Sequence, residues 1–170
     1  MPGRFTRRGA TDLSLCRLRY GKPVLANNPD IHFNLSHSGM LAVGAVSDQP
    51  VGVDVETLQN ADSGIMDMCF HPIEQEWINH AKDQRREFTR LWTRKESYLK
   101  LRETGLACTL NSFCVLPGKD FPNGISYSEK DEMGHMICVY TTQRYRILQG
   151  VEASYRTDSA CLSWQLVTLR

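Results

Sequence analysis

The sequence predicts an α+β fold (α/β in the broad sense), with short β-strands on both sides of a central helical segment. Runs of small and β-branched residues bounded by turn residues indicate strands before residue 57 and again after residue 112. Between these two regions, apolar residues recur with the period of an α-helix. The length of 170 residues suits one domain, or two small halves packed tightly together.

The first strands are predicted close together in the chain. A turn over residues 20–23 precedes strands at 31–35, 41–47 and 51–56. Residues 36–39 are predicted as a turn between the first two strands. Because the connections are short, we expect these strands to form an antiparallel meander.

The helical segment is predicted to contain three helices. The clearest spans residues 85–102 and ends near Gly105. A second helix at 72–81 begins with proline, which the first helical turn tolerates, and a shorter helix is predicted at 65–68. The later strands are predicted at residues 113–116, 125–127, 136–140 and 160–169.

The composition is that of an ordinary globular protein. Hydrophobic residues make up 41% of the chain, and the net charge of +1 is far below that of a typical nucleic-acid-binding domain. No apolar run approaches the roughly 18 residues of a transmembrane helix. The six cysteines show neither a C-x-x-C pair nor zinc-type spacing, which favours free thiols. We therefore expect a cytoplasmic protein that binds neither nucleic acid nor a membrane.

The strand predicted at 51–56 carries two carboxylates on one face. Side chains alternate along a strand, so Asp54 and Glu56 point away from the intervening valines, and Gly52 leaves room beside them. The carboxylates are about 7 Å apart along the strand, and like charges this close repel unless a cation or solvent separates them. A hard divalent cation fits this pattern. The exposed polar face of an antiparallel sheet explains the same alternation, and the strand alone leaves both readings open.

The last predicted helix places a lysine inside its apolar stripe. Lys95 lies near the middle of that stripe, where an ammonium needs a partner for its charge. Glu96 lies at the edge, and Lys100 follows it at i+4 on the same flank. Glu96 and Lys100 alone are compatible with a surface ion pair, whereas the position of Lys95 favours a site that contains phosphate anions. The stripe is formed by Phe88, Leu91, Trp92 and Leu99.

The predicted turn after the strand at 31–35 places a histidine between two serines. Hydroxyls and turn amides bind phosphate oxygens, and His37 donates a hydrogen bond to them in such a site. A turn that is merely capped by the side chains of Ser36 and Ser38 is the alternative.

Four segments occur in a fixed order along the chain. Their sequences are YGKP (20–23), FNLSHS (33–38), GVDVE (52–56) and WTRKESYLK (92–100). Together they resemble the surfactin-synthetase type of 4′-phosphopantetheinyl transferase, and the resemblance covers residues 20 to about 116. The segment CFHPIE (69–74) matches the same family.

The resemblance implies a fold of two similar halves, each an antiparallel sheet with a helix, related by a pseudo-twofold axis with coenzyme A between them. Residues 1–48 then form a shortened first half, and residues 49–170 form the second half with the metal site. Members of the family have a longer first half, whereas 20 residues precede Gly21 here. The basic residues Arg4, Arg7 and Arg8 are candidates to substitute for it in part, and a solvated tail is the alternative for them. A second subunit in a homo-oligomer is another candidate to complete the first half.

The resemblance also implies roles for individual residues. Glu74 is implied as the general base, with a metal-bound hydroxide as the alternative, and Lys95 as a lysine near the phosphates. Three carboxylates are implied to hold Mg²⁺, or Mn²⁺ in its place: Asp54, Glu56 and Glu96. Four side chains are implied to contact the phosphates of coenzyme A: Lys22, Ser36, His37 and Lys100.

The implied reaction is the Mg²⁺-dependent transfer of 4′-phosphopantetheine from coenzyme A to a serine of an apo acyl or peptidyl carrier protein, with release of 3′,5′-ADP. Two other functions remain as alternatives. One is a non-catalytic module that binds coenzyme A or a carrier protein. The other is a metal-dependent phosphohydrolase, because the same three carboxylates serve that chemistry.

Overall fold

The computed structural model describes residues 13–39, 41–103, 109–116, 125–130, 135–141, 147–148, 152–157 and 160–169. The helices are α1 (Ser63–Cys69), α2 (Pro72–Asn79) and α3 (Gln84–Arg102), and Leu110–Ser112 forms a short 3₁₀ turn. The strands are β1 (Leu15–Arg17), β2 (Pro23–Leu25), β3 (His32–Ser38), β4 (Leu41–Ser47), β5 (Val51–Thr57), β6 (Ile125–Lys130), β7 (His135–Thr141), β8 (Ile147–Leu148), β9 (Glu152–Thr157) and β10 (Ala160–Leu169).

The described strands form three sheets. β1 pairs with β2, and β5, β7 and β6 form an antiparallel sheet in that order. The largest sheet has the order β3-β4-β10-β8, and β9 also pairs with β10. β10 runs parallel to β4, with Ser163 opposite Leu41 and Thr168 opposite Val46. The α+β class is therefore confirmed, whereas the pseudo-twofold axis and the division between residues 48 and 49 stay predictions.

The expected meander is wrong at its third strand. β3 and β4 pair as expected, but β5 pairs with β7, so that Asp54 lies opposite Cys138. The other edge of β5 is covered by side chains of β3, which replace the missing strand backbone as hydrogen-bond acceptors. Three such bonds are formed: Val53 N to Asn34 Oδ1 (2.9 Å), Val55 N to Ser36 Oγ (3.3 Å) and Thr57 N to Ser38 Oγ (3.1 Å).

Two further predicted elements differ from the structure. The residues predicted as a turn at 36–39 extend strand β3 as far as Ser38, and the turn itself is at Gly39, whose φ is +56°. Residues 113–116 form no strand, because their backbone groups bond to buried side chains: Phe113 O accepts from Lys95, and Val115 N donates to Glu74.

The core confirms the predicted alternation of β5. Its three valines are fully buried and pack with apolar residues of β4 and β7. A second cluster joins the helices through Phe70, Ile78 and Leu91.

The described helices include none that is both long and apolar enough to cross a membrane. Four cysteines whose side chains the structure describes form no disulfide bond: Cys16, Cys69, Cys114 and Cys138.

Helix α3 crosses β5 at Gly52 with the two backbones in direct contact. A Cβ atom added to Gly52 would lie 1.9 Å from the carbonyl oxygen of Ser97 and 2.6 Å from the amide nitrogen of Leu101. The room that we expected Gly52 to leave beside the carboxylates is therefore filled by the backbone of α3. This close crossing brings Glu96 and Lys100 of the helix to the carboxylate face of β5.

Candidate functional site

The structure brings together the three carboxylates that the sequence singled out. Asp54 on β5 is buried, and Glu56 on β5 and Glu96 on α3 are half-buried. Burial raises the pKa of each of the three carboxyl groups. The Asp54 charge raises the pKa of Glu56 and of Glu96 further, and the Glu56 charge also raises that of Glu96. The three groups therefore form one cluster in which each negative charge disfavours the others.

Lys100 is the cation nearest to this cluster. Its Nζ lies 2.7 Å from Asp54 Oδ1 and 2.9 Å from Ser36 Oγ. The Ser36 hydroxyl also donates to Asp54 Oδ1 at 2.8 Å. Both Lys100 and the Ser36 hydroxyl therefore hold the same carboxylate oxygen, and they partly offset the effect of burial on the Asp54 pKa.

The second serine of β3 orients the second carboxylate. Ser38 Oγ donates to Glu56 Oε2 at 2.9 Å. His37 lies between the two serines in sequence with its side chain exposed, and its charge lowers the pKa of Glu56. The serines thus contact the carboxylates in this structure, and the expected contacts of Ser36 and His37 with phosphate stay predictions.

The chemistry of the carboxylate cluster fits a hard divalent cation. Asp54 Oδ2 is buried and has no hydrogen-bond partner among the described residues, and such an atom needs a counter-charge. In the part of the chain that the structure describes, no three acidic, histidine or cysteine side chains are arranged to hold a metal ion. To bind a cation, the carboxylate side chains of the cluster therefore have to rotate, and Asp54 Oδ2 is available as one of the ligand atoms.

A cleft of about 270 Å³ adjoins the cluster. It lies between the turn at 20–23 and the C-terminal half of α3, and Glu96 and Lys100 are in its wall. The structure thus places the predicted YGKP turn opposite the predicted carboxylate helix. Asn34 of β3 also lines the cleft.

The second lysine of the cleft, Lys22, is already bound to protein acceptors. Its Nζ lies 3.0 Å from the carbonyl oxygen of Lys100, 3.5 Å from that of Val51 and 3.1 Å from Glu103 Oε1. The Lys100 carbonyl is in the last turn of α3, whose carbonyl groups lack helical partners, so Lys22 caps the helix. Its predicted contact with coenzyme A stays a prediction.

Glu74 and Lys95 lie outside the cluster and form an ion pair of their own. Both side chains are fully buried, and Lys95 Nζ lies 2.8 Å from Glu74 Oε2. Lys95 also donates to the carbonyl oxygens of Leu110 (2.8 Å) and Phe113 (2.7 Å), so its three protons are all used. The sequence predicts a phosphate as the partner of Lys95, whereas its partner in this structure is the Glu74 carboxylate.

Both carboxylate oxygens of Glu74 also accept a hydrogen bond from a backbone amide. Oε1 accepts a hydrogen bond from Val115 N at 2.6 Å, and Oε2 accepts one from His71 N at 2.8 Å, which caps helix α2. Burial lowers the pKa of Lys95, and the Glu74 charge opposes that shift. The pair therefore ties α2, α3 and the segment at 110–115 together.

Replacing Lys95 with methionine is expected to destabilise the fold by about 3–5 kcal/mol, because the Glu74 carboxylate is left buried without its cation. The double variant Glu74→Gln/Lys95→Met should recover much of that loss, since a buried ion pair is often replaceable by neutral residues. Urea denaturation of both single variants and the double variant measures the coupling. Strictly additive losses would contradict the pairing.

Sequence reasoning missed two residues of this region. Asn34 has the same period-two spacing as Ser36 and Ser38, so the alternation of β3 could have identified all three as one polar face. Glu103 follows the helix and binds Lys22, and no pattern in the sequence marks it.

Residues 50–155 match the family model described as the 4′-phosphopantetheinyl transferase superfamily, and this range includes the carboxylate cluster and the Glu74–Lys95 pair. The chain belongs to this superfamily. The resemblance found in the sequence motifs is thereby confirmed.

Curated members of the superfamily show the same similarity. The chain is 37% identical over 106 residues to the 4′-phosphopantetheinyl transferase ffp of Bacillus subtilis, covering 61% of this chain and 47% of the relative. It is 40% identical over 102 residues to psf-1 of Bacillus pumilus, covering 59% and 44%. It is 36% identical over 107 residues to Sfp of B. subtilis strain 168, covering 62% and 48%. The chain thus spans less than half the length of these transferases.

A solved structure gives a weaker likeness. The holo-[acyl-carrier-protein] synthase of Thermotoga maritima superposes with a TM-score of 0.44 and 15% identity, covering 66% of this chain and 80% of that one. This degree of likeness is too low to support an argument.

The pH dependence of stability is expected to report the carboxylate cluster. The pKa of Glu96 is raised in the folded state, so the stability it contributes is fully present below its ordinary pKa of 4.5 and is lost as the pH rises through the raised value. In EDTA, Glu96→Gln should therefore melt at a higher temperature than the unchanged protein near pH 8, and the difference should vanish at low pH. Thermal unfolding across this pH range measures it.

Two controls accompany this measurement. Glu76→Gln removes one exposed negative charge on α2 and should show no such pH-dependent gain. Mg²⁺ should reduce the advantage of Glu96→Gln at pH 8, because a metal stabilises the ionised carboxylates. A Glu96→Gln variant that is no more stable than the unchanged protein at any pH would contradict the charge repulsion described above.

Proposed function

We propose that the chain transfers 4′-phosphopantetheine from coenzyme A to a serine of an apo acyl or peptidyl carrier protein. The observation that supports this most is the buried Asp54, with one unpartnered oxygen, beside two further carboxylates at the edge of a cleft that contains two lysines. Membership of the superfamily supports the reaction class. The partners implied are coenzyme A and the carrier protein.

In this proposal Mg²⁺, or Mn²⁺ in its place, is held by Asp54, Glu56 and Glu96. When bound, the metal neutralises charge on the pyrophosphate of coenzyme A. The rest of the work is positioning, as in phosphoryl transfer generally. The Ser36 and Ser38 hydroxyls orient two of the carboxylates through the hydrogen bonds described above.

The two lysines of the cleft supply positive charge for the phosphates. Lys100 has about 29% of its side chain exposed, and it has to divide its contacts between Asp54 and an incoming phosphate. Cations near the reacting phosphate stabilise the negative charge that develops there. Lys22 acts from the opposite wall of the cleft.

The proton of the attacking serine hydroxyl needs an acceptor. Glu74 is the predicted base, but its oxygens are occupied by Lys95 and two backbone amides, and its side chain has no exposed surface. A general base has to reach the proton that it takes. In this structure Glu74 holds α2 against α3. To take the serine proton it would have to give up one of these bonds, and its role as the base stays a prediction.

Release of 3′,5′-ADP tests this proposal. The chain is incubated with coenzyme A and Mg²⁺, with and without an apo carrier protein, and the products are separated by chromatography. The proposal expects 3′,5′-ADP only when carrier protein and Mg²⁺ are both present. Release of phosphopantetheine without any carrier protein would indicate a phosphohydrolase instead.

A non-catalytic binding module is the second candidate. It is favoured by the ion pair between Lys100 and Asp54, which leaves the cluster without a ready arrangement for a metal among the described residues. Two measurements separate the candidates. In calorimetry, a binding module is expected to bind coenzyme A equally well in Mg²⁺ and in EDTA. In the chromatographic assay, it yields no 3′,5′-ADP with any carrier protein.

A further inference from the structure

Glu103 is the one non-glycine residue in the described part of the chain with a positive φ angle. It follows α3 directly, with φ of 60° and ψ of 18°, in the left-handed region that side chains other than asparagine and aspartate seldom adopt. It also carries a negative charge at the C-terminal end of a helix, where the helix dipole favours cations. Such outliers occur preferentially at functional sites.

The Glu103 carboxylate is bound to a cation that lines the cleft. Of the three acceptors described around Lys22 Nζ, two are backbone carbonyls fixed by α3 and β5. The third is Glu103 Oε1 at 3.1 Å, and the Glu103 side chain is 36% exposed whereas that of Lys22 is 10% exposed. The carboxylate is therefore the acceptor that an incoming anion most readily replaces.

We propose that Glu103 is an internal competitor for Lys22 that lowers the affinity of the cleft for phosphate-bearing ligands. This inference rests on the proposed function, in which the cleft takes the phosphates of coenzyme A. A carboxylate oxygen and a phosphate oxygen accept the same charge-assisted hydrogen bond from an ammonium. A phosphate that binds Lys22 has to displace Glu103, and the displaced charge stays in a cleft that already contains Glu96.

Competition between Glu103 and the ligand for Lys22 determines how much negative charge a ligand needs in order to bind in the cleft. The binding free energy that a ligand gains from Lys22 is only the difference between its own hydrogen bond to the ammonium and the one that Glu103 loses. Weakly charged anions gain little, whereas a pyrophosphate gains more. Glu103 is thus a specificity-determining residue that acts on ligand binding and takes no part in the chemical step.

Calorimetric titration with coenzyme A and with inorganic pyrophosphate tests the inference. Glu103→Gln keeps the side-chain length and removes the charge, and Glu103→Gly also removes the unfavourable φ angle. Both variants are expected to bind each probe roughly three- to tenfold more tightly than the unchanged protein. Glu76→Gln, which removes an exposed charge on α2, is the control and should leave both affinities unchanged.

A second pair of variants shows whether the effect passes through Lys22. In a Lys22→Met background, Glu103→Gln should produce no further gain, because the ammonium for which it competes is gone. A gain of the same size in that background overturns the inference, since it reflects only the loss of a nearby negative charge. A gain in Glu103→Gly without one in Glu103→Gln overturns it too, because relief of backbone strain then explains the change.

The outcomes also separate this inference from the proposed function. Equal affinity for coenzyme A in Glu103→Gln and the unchanged protein, with transfer observed, overturns the inference alone. Tighter binding in Glu103→Gln without transfer to any carrier protein overturns the proposed function alone. Absence of binding of both probes to both proteins overturns both.

Discussion

Replacing Gly52 with alanine is expected to destabilise the chain by at least about 3 kcal/mol, a large part of the stability of a domain of this size. The added Cβ atom would lie 1.9 Å from the carbonyl oxygen of Ser97, where ordinary contact begins at 3.4 Å. The obstacle is helix backbone, so no side-chain rotation relieves it. Helix α3 has to move away from β5, and Glu96 and Lys100 move with it.

Urea denaturation measures this loss, and Gly64→Ala is the matched control. A Cβ atom on Gly64 meets only the side chain of Asp62, at 3.3 Å, and Gly64 lies in the exposed first turn of α1. Alanine also has the higher helix propensity, so Gly64→Ala should leave stability unchanged or slightly higher. A Gly52→Ala variant as stable as the Gly64→Ala control would contradict the close crossing of α3 and β5.

Replacing Asp54 with asparagine is expected to lower transfer by at least about 100-fold, because the metal loses a ligand. The variant should stay folded. Asparagine has nearly the same shape, and it removes the charge whose burial raises the Asp54 pKa. Lys100 loses its ion pair but keeps its contact with Ser36, and its partly exposed side chain retains contact with water. Initial rates of 3′,5′-ADP release and thermal unfolding of the same preparation measure the two effects.

Asp62→Asn is the matched control for this substitution. Asp62 is exposed and caps helix α1 by accepting from Ile65 N, and asparagine caps helices as well as aspartate does. Its rate and melting temperature should equal those of the unchanged protein. If Asp54→Asn kept a rate within about threefold of this control, the assignment of Asp54 as a metal ligand would be wrong.

The sequence predicted the elements whose patterns are local. Helix α3 and strands β4 and β10 lie within one residue of their predicted bounds, because each carries a long or uninterrupted pattern. The partner of β5 was not predictable, since pairing with β7 joins residues far apart in the chain and short connections favoured β4. β1, β2, β8 and β9 were missed because each is short or lacks a clear alternation.

The site was predictable in its charges but less so in its contacts. The acidic positions of β5 and α3 follow from periodicity, and the structure places all three in one cluster. The partner of Lys95 was not predictable, because Glu74 lies on another helix and nothing in its own segment marks it as buried. The same holds for Lys22, whose bonds to carbonyl groups of α3 and β5 depend on how these elements pack. The basic residues at positions 4, 7 and 8, named as candidates to hold the nucleotide, lie outside the described residues.

The intact mass of an apo carrier protein tests the central claim most directly. The carrier protein is incubated with coenzyme A and this chain, in Mg²⁺ and in parallel in EDTA, and weighed by mass spectrometry. We predict a gain of one phosphopantetheine group in Mg²⁺, no gain in EDTA, and no gain when Asp54→Asn replaces the unchanged chain. An unchanged mass in Mg²⁺ across acyl and peptidyl carrier proteins would contradict the proposed transferase activity.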